Sequence, residues 1–176
     1  MDKIEIRLIE NFISNPNELF EVIQKGIRWD NRLKSRKTAS FGVAYNYSGM
    51  TYPQTEMMTE LIPICLQIKN EIGFAPNNCL LNYYADGNST MGYHSDNSED
   101  LKEGTGVVII SLGAERYISY HSKLDKILKY KYLLQNGSLL YMDNLIQKNW
   151  MHAIPKQRNI GERISLTFRQ IVKLGS

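Results

Sequence analysis

The chain has 176 residues, 43% of them hydrophobic, and a formal net charge of +3. That length supports one well-buried core and leaves too little for two comfortable domains. The charged start Met-Asp-Lys-Ile-Glu-Ile-Arg and the lack of a long apolar run give no sign of a signal peptide or a membrane-spanning helix, while the small positive balance permits a polyanionic ligand without requiring one.

In chain order, the segment from Lys3 to Phe12 alternates weakly and predicts a short strand. A helix follows, with Ser14 or Asn15 as N-cap, Pro16 in its first turn, Glu18 near the positive end of the dipole, an apolar stripe of Leu19, Phe20, Val22 and Ile23, and Gly26 near its end. From Lys25 to Lys37 six basic residues stand against one acid, Asp30, which predicts a basic face. The next stretch, Thr38 to Ser48, is extended and aromatic and predicts a hairpin turning at Ser48-Gly49. Its alternate positions Phe41, Val43, Tyr45 and Tyr47 would share one face beside the basic run, a combination of rings and cations suited to holding flexible nucleic acid. A second helix is predicted from Pro63 to Gly73, packing on a sheet.

From Cys79 onward the sequence is a succession of strands: Cys79 to Ala85, Thr105 to Leu112, Arg116 to His121, Lys126 to Leu134, Ser138 to Met142, Trp150 to Ile154 and Arg163 to Val172. Together with the helices they predict an α+β, mainly β fold, a sandwich or barrel; a double-sheet jelly roll would give a mouth in which residues of non-neighbouring strands meet around a small ligand. Cys65 and Cys79 form no CxxC pair or disulfide framework and read as buried thiols of a reducing compartment, the cytoplasm or, in a eukaryote, the nucleus.

Chemistry concentrates at three places. In His94-Ser95-Asp96 the side chains of residues i and i+2 leave an extended chain on the same face, so an imidazole and a carboxylate converge. One more neutral histidine would complete a two-His, one-carboxylate metal site with open positions, the arrangement of non-haem Fe(II) oxygenases. Of the other two histidines, His152 lies in a strand leading into the C-terminal sheet, whereas His121 runs into polar Ser122-Lys123, so His152 is the better candidate. In the last strand Arg163, Ser165, Thr167 and Arg169 share one face and Ile164, Leu166 and Phe168 the other. Two arginines facing an interior call for an anion, and a dicarboxylate gripped through paired hydrogen bonds answers that need.

The pattern Asn82-x-Tyr84, His94-x-Asp96, His152 and Arg163-x-Ser165-x-x-x-Arg169, with Gly137-Ser138-Leu139-Leu140-Tyr141-Met142 before the distal histidine and Leu166-Thr167-Phe168-Arg169 at the end, strongly resembles the AlkB family of Fe(II)- and 2-oxoglutarate-dependent dioxygenases. The resemblance implies one double-stranded β-helix domain over residues 1–176, with N-terminal support and a nucleotide-recognition lid in about 1–75 and the jelly-roll core in about 76–172. It implies that His94, Asp96 and His152 bind the iron, that Arg169 with Asn82 holds the metal-chelating end of 2-oxoglutarate, and that Arg163 with Tyr84 holds its far carboxylate. O₂ is the oxidant, and the expected reaction is oxidative demethylation of N-alkylated bases in DNA or RNA, a direct-reversal repair, by a monomer with no obligate protein partner. The segment Arg36 to Tyr47 resembles the family's lid over a base flipped from its strand, which points to Arg36, Lys37, Phe41, Tyr45 and Tyr47 as substrate contacts. Two positions depart from the pattern. Ser165 stands where an asparagine helps to anchor the cosubstrate, and Asn97 stands where DNA-repair members carry an acid. Two other functions compete: a 2-oxoglutarate-dependent hydroxylase of a small molecule or peptide, and a catalytically silent nucleic-acid binding module.

Overall fold

A computed structural model describes residues 3–172. A short strand β1 (Arg7–Ile9) leads into helix α1 (Pro16–Gly26), where proline fills the first turn and Ile23 is buried. Strand β2 (Lys37–Gly42) is followed by a hairpin of β3 (Tyr45–Tyr47) and β4 (Met50–Tyr52), then a 3-10 turn at Thr59–Leu61 and helix α2 (Ile62–Glu71). The remaining elements are β5 (Asn78–Tyr84), β6 (Met91–His94), β7 (Gly106–Gly113), β8 (Arg116–Ser122), β9 (Lys129–Leu134), β10 (Leu139–Asp143), helix α3 (Asn144–Asn149), β11 (Trp150–Ile154) and β12 (Arg163–Arg169). No helix among the described residues is long and apolar enough to cross a membrane.

The strands form a six-stranded sheet in the order β1-β10-β7-β12-β5-β2, a four-stranded sheet in the order β6-β11-β8-β9, and the two-stranded hairpin β3-β4. All the strand pairs are antiparallel, and β12 lies between β5 and β7 with Ser165 opposite both Asn82 and Ser111. One face of the large sheet packs on α1 and α2 through Leu81, Val108, Ile110, Ile164, Leu166 and Phe168. The other face meets the small sheet in a second layer that includes Tyr84, Val107, Ile109, Ile118, Tyr120 and Trp150. Period-two alternation therefore sends the even positions of β12 to the helices and the odd ones, Arg163, Ser165, Thr167 and Arg169, between the sheets. The seven strands expected from Cys79 onward and both long helices lie where the sequence pattern puts them, to within a few residues at their ends, while β6 was not among the expected strands.

The aromatic segment differs from expectation. It is not one hairpin from Thr38 to Ser48: β2 pairs with β5 as an edge of the large sheet, and the hairpin runs from Tyr45 to Tyr52. Gly42 separates the two. Its φ of +89° is a left-handed backbone conformation, and a Cβ there would lie 2.0 Å from the Asn77 carbonyl oxygen. The buried side chain of Asn78 fixes this bend by donating to the carbonyls of Phe41 and Val43 at 3.1 and 2.9 Å. The bend breaks the alternation, so Phe41 packs into the helix layer while Val43 and Tyr45 pack into the layer between the sheets.

Gly42→Ala should destabilise the protein by more than the roughly 1–2 kcal/mol of a left-handed backbone alone, because the clash with Asn77 adds to it. The midpoint of urea unfolding measures this, and an unchanged midpoint would mean that the bend is not required.

Candidate active site

Three side chains of types that can ligate a metal meet at one end of the small sheet. β11 pairs with β6 so that His152 lies opposite His94, and their rings are 4.3 Å apart between centroids. β6 ends at His94, so Asp96 lies just beyond the strand rather than on it; the chain is held extended by the Ser95 hydroxyl donating to the Trp150 carbonyl at 2.7 Å and the Asp96 amide donating to Gln147 Oε1 at 2.8 Å. One ligand atom from each of His94, Asp96 and His152 lies within 4.8 Å of the others. His94 Nδ1 is 2.8 Å from the Gly92 carbonyl oxygen, and its Nε2 faces Asp96 Oδ1 at 3.3 Å. His121 is elsewhere, on the outer face of the sheet, its ring centroid 4.5 Å from that of Tyr93.

Electrostatics prepare these groups for a cation. Burial pushes the His152 imidazole down to about 4, so it is neutral at pH 7 with a lone pair to give. Burial works against the Asp96 carboxylate, but the charge of Arg169 and the hydrogen bond of His94 outweigh it and hold the carboxyl well below the usual range. Burial likewise disfavours a charged His94, and Asp96 reverses that to raise its pKa.

The inner face of β12 supplies the anion-binding half. Arg169 is 2% exposed and donates through Nη2 to Asp96 Oδ2 at 2.9 Å, and its guanidinium lies 4.8 Å from the Tyr45 ring centroid. Arg163 donates to the Ser111 hydroxyl at 2.9 Å and lies 5.0 Å from the Tyr84 ring centroid. Burial lowers its pKa, only partly offset by Tyr84. Nε and Nη1 of both arginines and the Tyr84 hydroxyl are buried without a protein partner. Between the two arginines stand only the short side chains of Ser165 and Thr167.

Above this layer the β3-β4 hairpin closes a cavity of about 460 Å³ lined by Tyr45, Tyr47, Met91, His94, Asp96 and Asn97, with Arg36 at its side. The rings of Tyr45 and Tyr47 are stacked at 6.4 Å and 19°. Arg36 ties the hairpin to the sheet, donating to Asn82 Oδ1 at 2.8 Å, to the Thr90 carbonyl at 3.1 Å and to the Tyr47 hydroxyl. Lys37 and Phe41, expected in the lid, leave β2 on the opposite face: Lys37 Nζ lies 5.6 Å from the Tyr83 ring centroid and Phe41 packs with the helices.

Several residues of the site were not anticipated. Gln147 on α3 is buried and holds the Asp96 amide, and Tyr120 is buried with its ring centroid 5.8 Å from that of His152. Arg116, fully buried, ties down the 86–89 loop and the end of β11 by donating to the carbonyls of Asp86, Ser89 and Pro155 at 3.2, 2.9 and 2.7 Å. The alternation Arg116, Ile118, Tyr120 was a readable signal for two of these, since it puts the arginine on the same face as two buried residues.

Known proteins share this arrangement of chain. The alpha-ketoglutarate-dependent dioxygenase alkB homolog 3 of Bos taurus is 28% identical over 182 residues, covering 90% of this chain and 63% of that protein. The DNA oxidative demethylase ALKBH2 of Homo sapiens is 29% identical over 148 residues, covering 78% of this chain and 57% of that protein. The family model of the 2OG-Fe(II) oxygenase superfamily matches residues 8–169. The chain belongs to that superfamily, as a member of its AlkB family. It spans less than two thirds of the length of those two relatives. An uncharacterized protein, R406 of Acanthamoeba polyphaga mimivirus, is 27% identical over 161 residues, which are 90% of this chain and 83% of that protein. The solved structure of OsALKBH1 has the same fold, with a TM-score of 0.73 at 18% identity over 96% of this chain and all of that one.

The residues present fit the metal and the cosubstrate that name the superfamily. Two imidazoles, that of His152 neutral, and a carboxylate on one side of an open cavity suit Fe(II). The unpartnered N–H groups of Arg163 and Arg169 suit the two ends of 2-oxoglutarate.

Removing either of two proposed ligands should separate metal binding from stability. Asp96→Ala leaves Arg169 a buried charge without its partner and should destabilise the metal-free protein by about 3–5 kcal/mol, while His94→Ala, at a partly exposed ring, should cost far less. Both should abolish Mn(II) binding. Urea unfolding and metal titration measure the two effects, and equal destabilisation would show that the Asp96–Arg169 pair does not hold the fold.

Proposed function

We propose that this protein uses Fe(II), 2-oxoglutarate and O₂ to dealkylate N-alkylated bases of DNA or RNA. The observation that carries the reading is the superposition of three layers at one spot: the cluster of His94, Asp96 and His152, the unpartnered donors of Arg163 and Arg169, and a cavity roofed by Tyr45 and Tyr47. The relatives named as an alkB homolog 3 dioxygenase and as a DNA oxidative demethylase support it.

In this reading His94, Asp96 and His152 occupy one side of the metal. These residues would hold Fe(II), which with 2-oxoglutarate and O₂ would supply the chemistry to hydroxylate a C–H bond, the diacid leaving as succinate and CO₂; on an N-methyl group the hydroxylated product would fall apart to formaldehyde and the restored base. Arg169 and Asn82 hold the near carboxylate of the cosubstrate, and Arg163, with Tyr84, the far one. Each guanidinium meets a carboxylate with N–H groups that have no other partner, so little binding energy is lost in breaking internal bonds. Ser165, opposite Asn82, reaches less far than an asparagine and leaves a gap that a water can bridge. Tyr45 and Tyr47 receive the extruded base by stacking, a contact that every base can make and that selects weakly among them. Arg36 positions Tyr47, and Asn97 at the rim meets the base edge as a neutral partner where an acid would favour a cationic lesion. The site of action is the cytoplasm, or the nucleus in a eukaryote, with the protein working as a monomer.

Release of formaldehyde and succinate from oligonucleotides carrying N-methylated bases, followed by mass, tests the reading; succinate formation without any demethylated product would overturn it. Arg169→Lys keeps the charge but loses the planar fork, so the 2-oxoglutarate concentration for half-maximal turnover should rise about tenfold or more, as expected for losing one charged hydrogen bond. Tyr47→Ala should reduce oligonucleotide turnover more than uncoupled succinate formation, and equal losses would assign the ring to the core.

A further inference from the structure

Helix α3 has six residues, too few to be stable on its own in water. Its apolar anchoring is slight, since Ile146 is buried but Leu145 is 65% exposed. Polar staples at its two ends hold it instead. At the start, the Asp143 carboxylate accepts from the Ile146 amide at 3.0 Å. At the end, the carbonyls of Gln147 and Asn149 lie in the last turn, where a helix has no partners of its own to offer. One residue answers both. The Lys123 ammonium donates to the Gln147 carbonyl at 2.8 Å, and the Lys123 amide donates to the Asn149 carbonyl at 2.9 Å. Lys123 stands 24 positions earlier in the chain, in the turn between β8 and β9, and that turn is braced by the amides of Leu124 and Asp125 donating to the Ser122 hydroxyl at 3.2 and 3.3 Å.

What this helix carries toward the site is the side chain of Gln147, which is 2% exposed and accepts from the Asp96 amide at 2.8 Å. Its Nε2 meets the Met142 sulfur at 3.7 Å, a weak acceptor, so the backbone of α3 does most to fix where Oε1 stands. Asp96 needs that help. It lies past the end of β6, where no strand ladder sets its backbone. Its carboxylate is held by His94 at Oδ1 and by Arg169 at Oδ2, and in the proposed function both of those groups also serve a ligand, the metal or the diacid. The bond from its amide to Gln147 is shared with neither.

We propose that Lys123 is a positioning residue for the metal site: by closing the last turn of α3 it fixes Gln147, and through Gln147 it fixes the backbone of Asp96. The proposal rests on the metal-binding role given to Asp96 above. With Gln147 displaced, the Asp96 amide is released and its carboxylate ranges more widely, so part of the metal's binding energy goes to ordering it again. A cation suits this place for two reasons. It meets the negative end of the helix dipole, and its hydrogen bond to a carbonyl is stronger than that of a neutral donor. The long aliphatic stem of lysine lets the head reach the carbonyl from a turn that stays outside the core.

The test uses the full chain with 2-oxoglutarate in the absence of O₂. It reads Mn(II) binding by EPR, and hydrogen exchange of the Asp96 amide in the metal-free protein. Gln147→Met keeps the volume and loses the acceptor, so it should weaken Mn(II) binding about tenfold and speed exchange of that amide. Lys123→Met should do the same to a smaller extent, about threefold, and Lys123→Arg, which keeps a cation at the carbonyl, should return both readings to wild-type values. Because the two residues act in series, the double variant should bind Mn(II) no more weakly than Gln147→Met alone. Losses that add in the double variant would overturn the proposal, as would an unchanged Mn(II) affinity or an unchanged Asp96 exchange in Lys123→Met. Exchange that quickens equally at Val108 and Ile110 in the large sheet would overturn it too, since that is a loss of stability and not of position. If the wild-type protein binds no Mn(II), the metal site of the proposed function fails, and the Asp96 exchange still decides whether Lys123 acts through Gln147.

Discussion

Two guanidiniums buried between sheets set the terms for the rest of this molecule. Arg163 and Arg169 leave the inner face of β12 because Ile164, Leu166 and Phe168 are committed to the helix layer on the other side. Strand alternation leaves no choice: burying one set buries the other. Desolvating such a cation costs several kcal/mol unless its surroundings answer the charge. The fold answers only in part, with Asp96 and Tyr45 for Arg169 and with Ser111 and Tyr84 for Arg163. The N–H groups left over are a standing demand for anionic partners, and a dicarboxylate carries two.

Asp96 links this anion site to the metal site. Its two oxygens face different partners, Oδ2 toward Arg169 and Oδ1 toward His94, so the carboxylate is oriented before any cation arrives. Its backbone is equally constrained, through Gln147 and the neighbouring Ser95. A proposed ligand that is prepositioned in this way loses little conformational freedom on binding metal, and the neutral His152 opposite needs no proton to leave. The same pairing makes the site part of the fold's stability, since neither Asp96 nor Arg169 is comfortable without the other.

The parts of this arrangement that were legible in the sequence are those with short periods. The alternation of β12 and the His94-x-Asp96 spacing follow from which face a residue of extended chain occupies, and the choice of His152 over His121 follows from the polar Ser122-Lys123 that His121 runs into. What could not be read depended on distant partners. The bend at Gly42 is fixed by Asn78, 36 positions away in the chain and fully buried, so the apparent four-residue face from Phe41 to Tyr47 is cut in two. Lys37 and Phe41 therefore fall on the helix side although their spacing to Tyr45 looked continuous. The short helix that carries Gln147 has too few residues to show a helical period, and its start depends on the Asp143 carboxylate accepting from the Ile146 amide at 3.0 Å. Arg116 escaped notice because a lone arginine at a strand start is ordinarily a surface residue.

Arg36 shows how the lid and the diacid wall become one device. The basic run that contains it suggested phosphate contacts, yet its guanidinium is spent inside the protein, on Asn82, Thr90 and Tyr47. Asn82 stands opposite Ser165, on the wall where the proposed cosubstrate lies, and Tyr47 roofs the cavity where the proposed base lies. A displacement of the hairpin must therefore break the hydrogen bond between Arg36 and the Tyr47 hydroxyl, or pull Arg36 with it. With Ser165 too short to fill the wall alone, the orientation of Asn82 matters more, and Arg36 is what sets it. One guanidinium thus joins the roof of the cavity to the wall beside Ser165, so that order in the one supports order in the other.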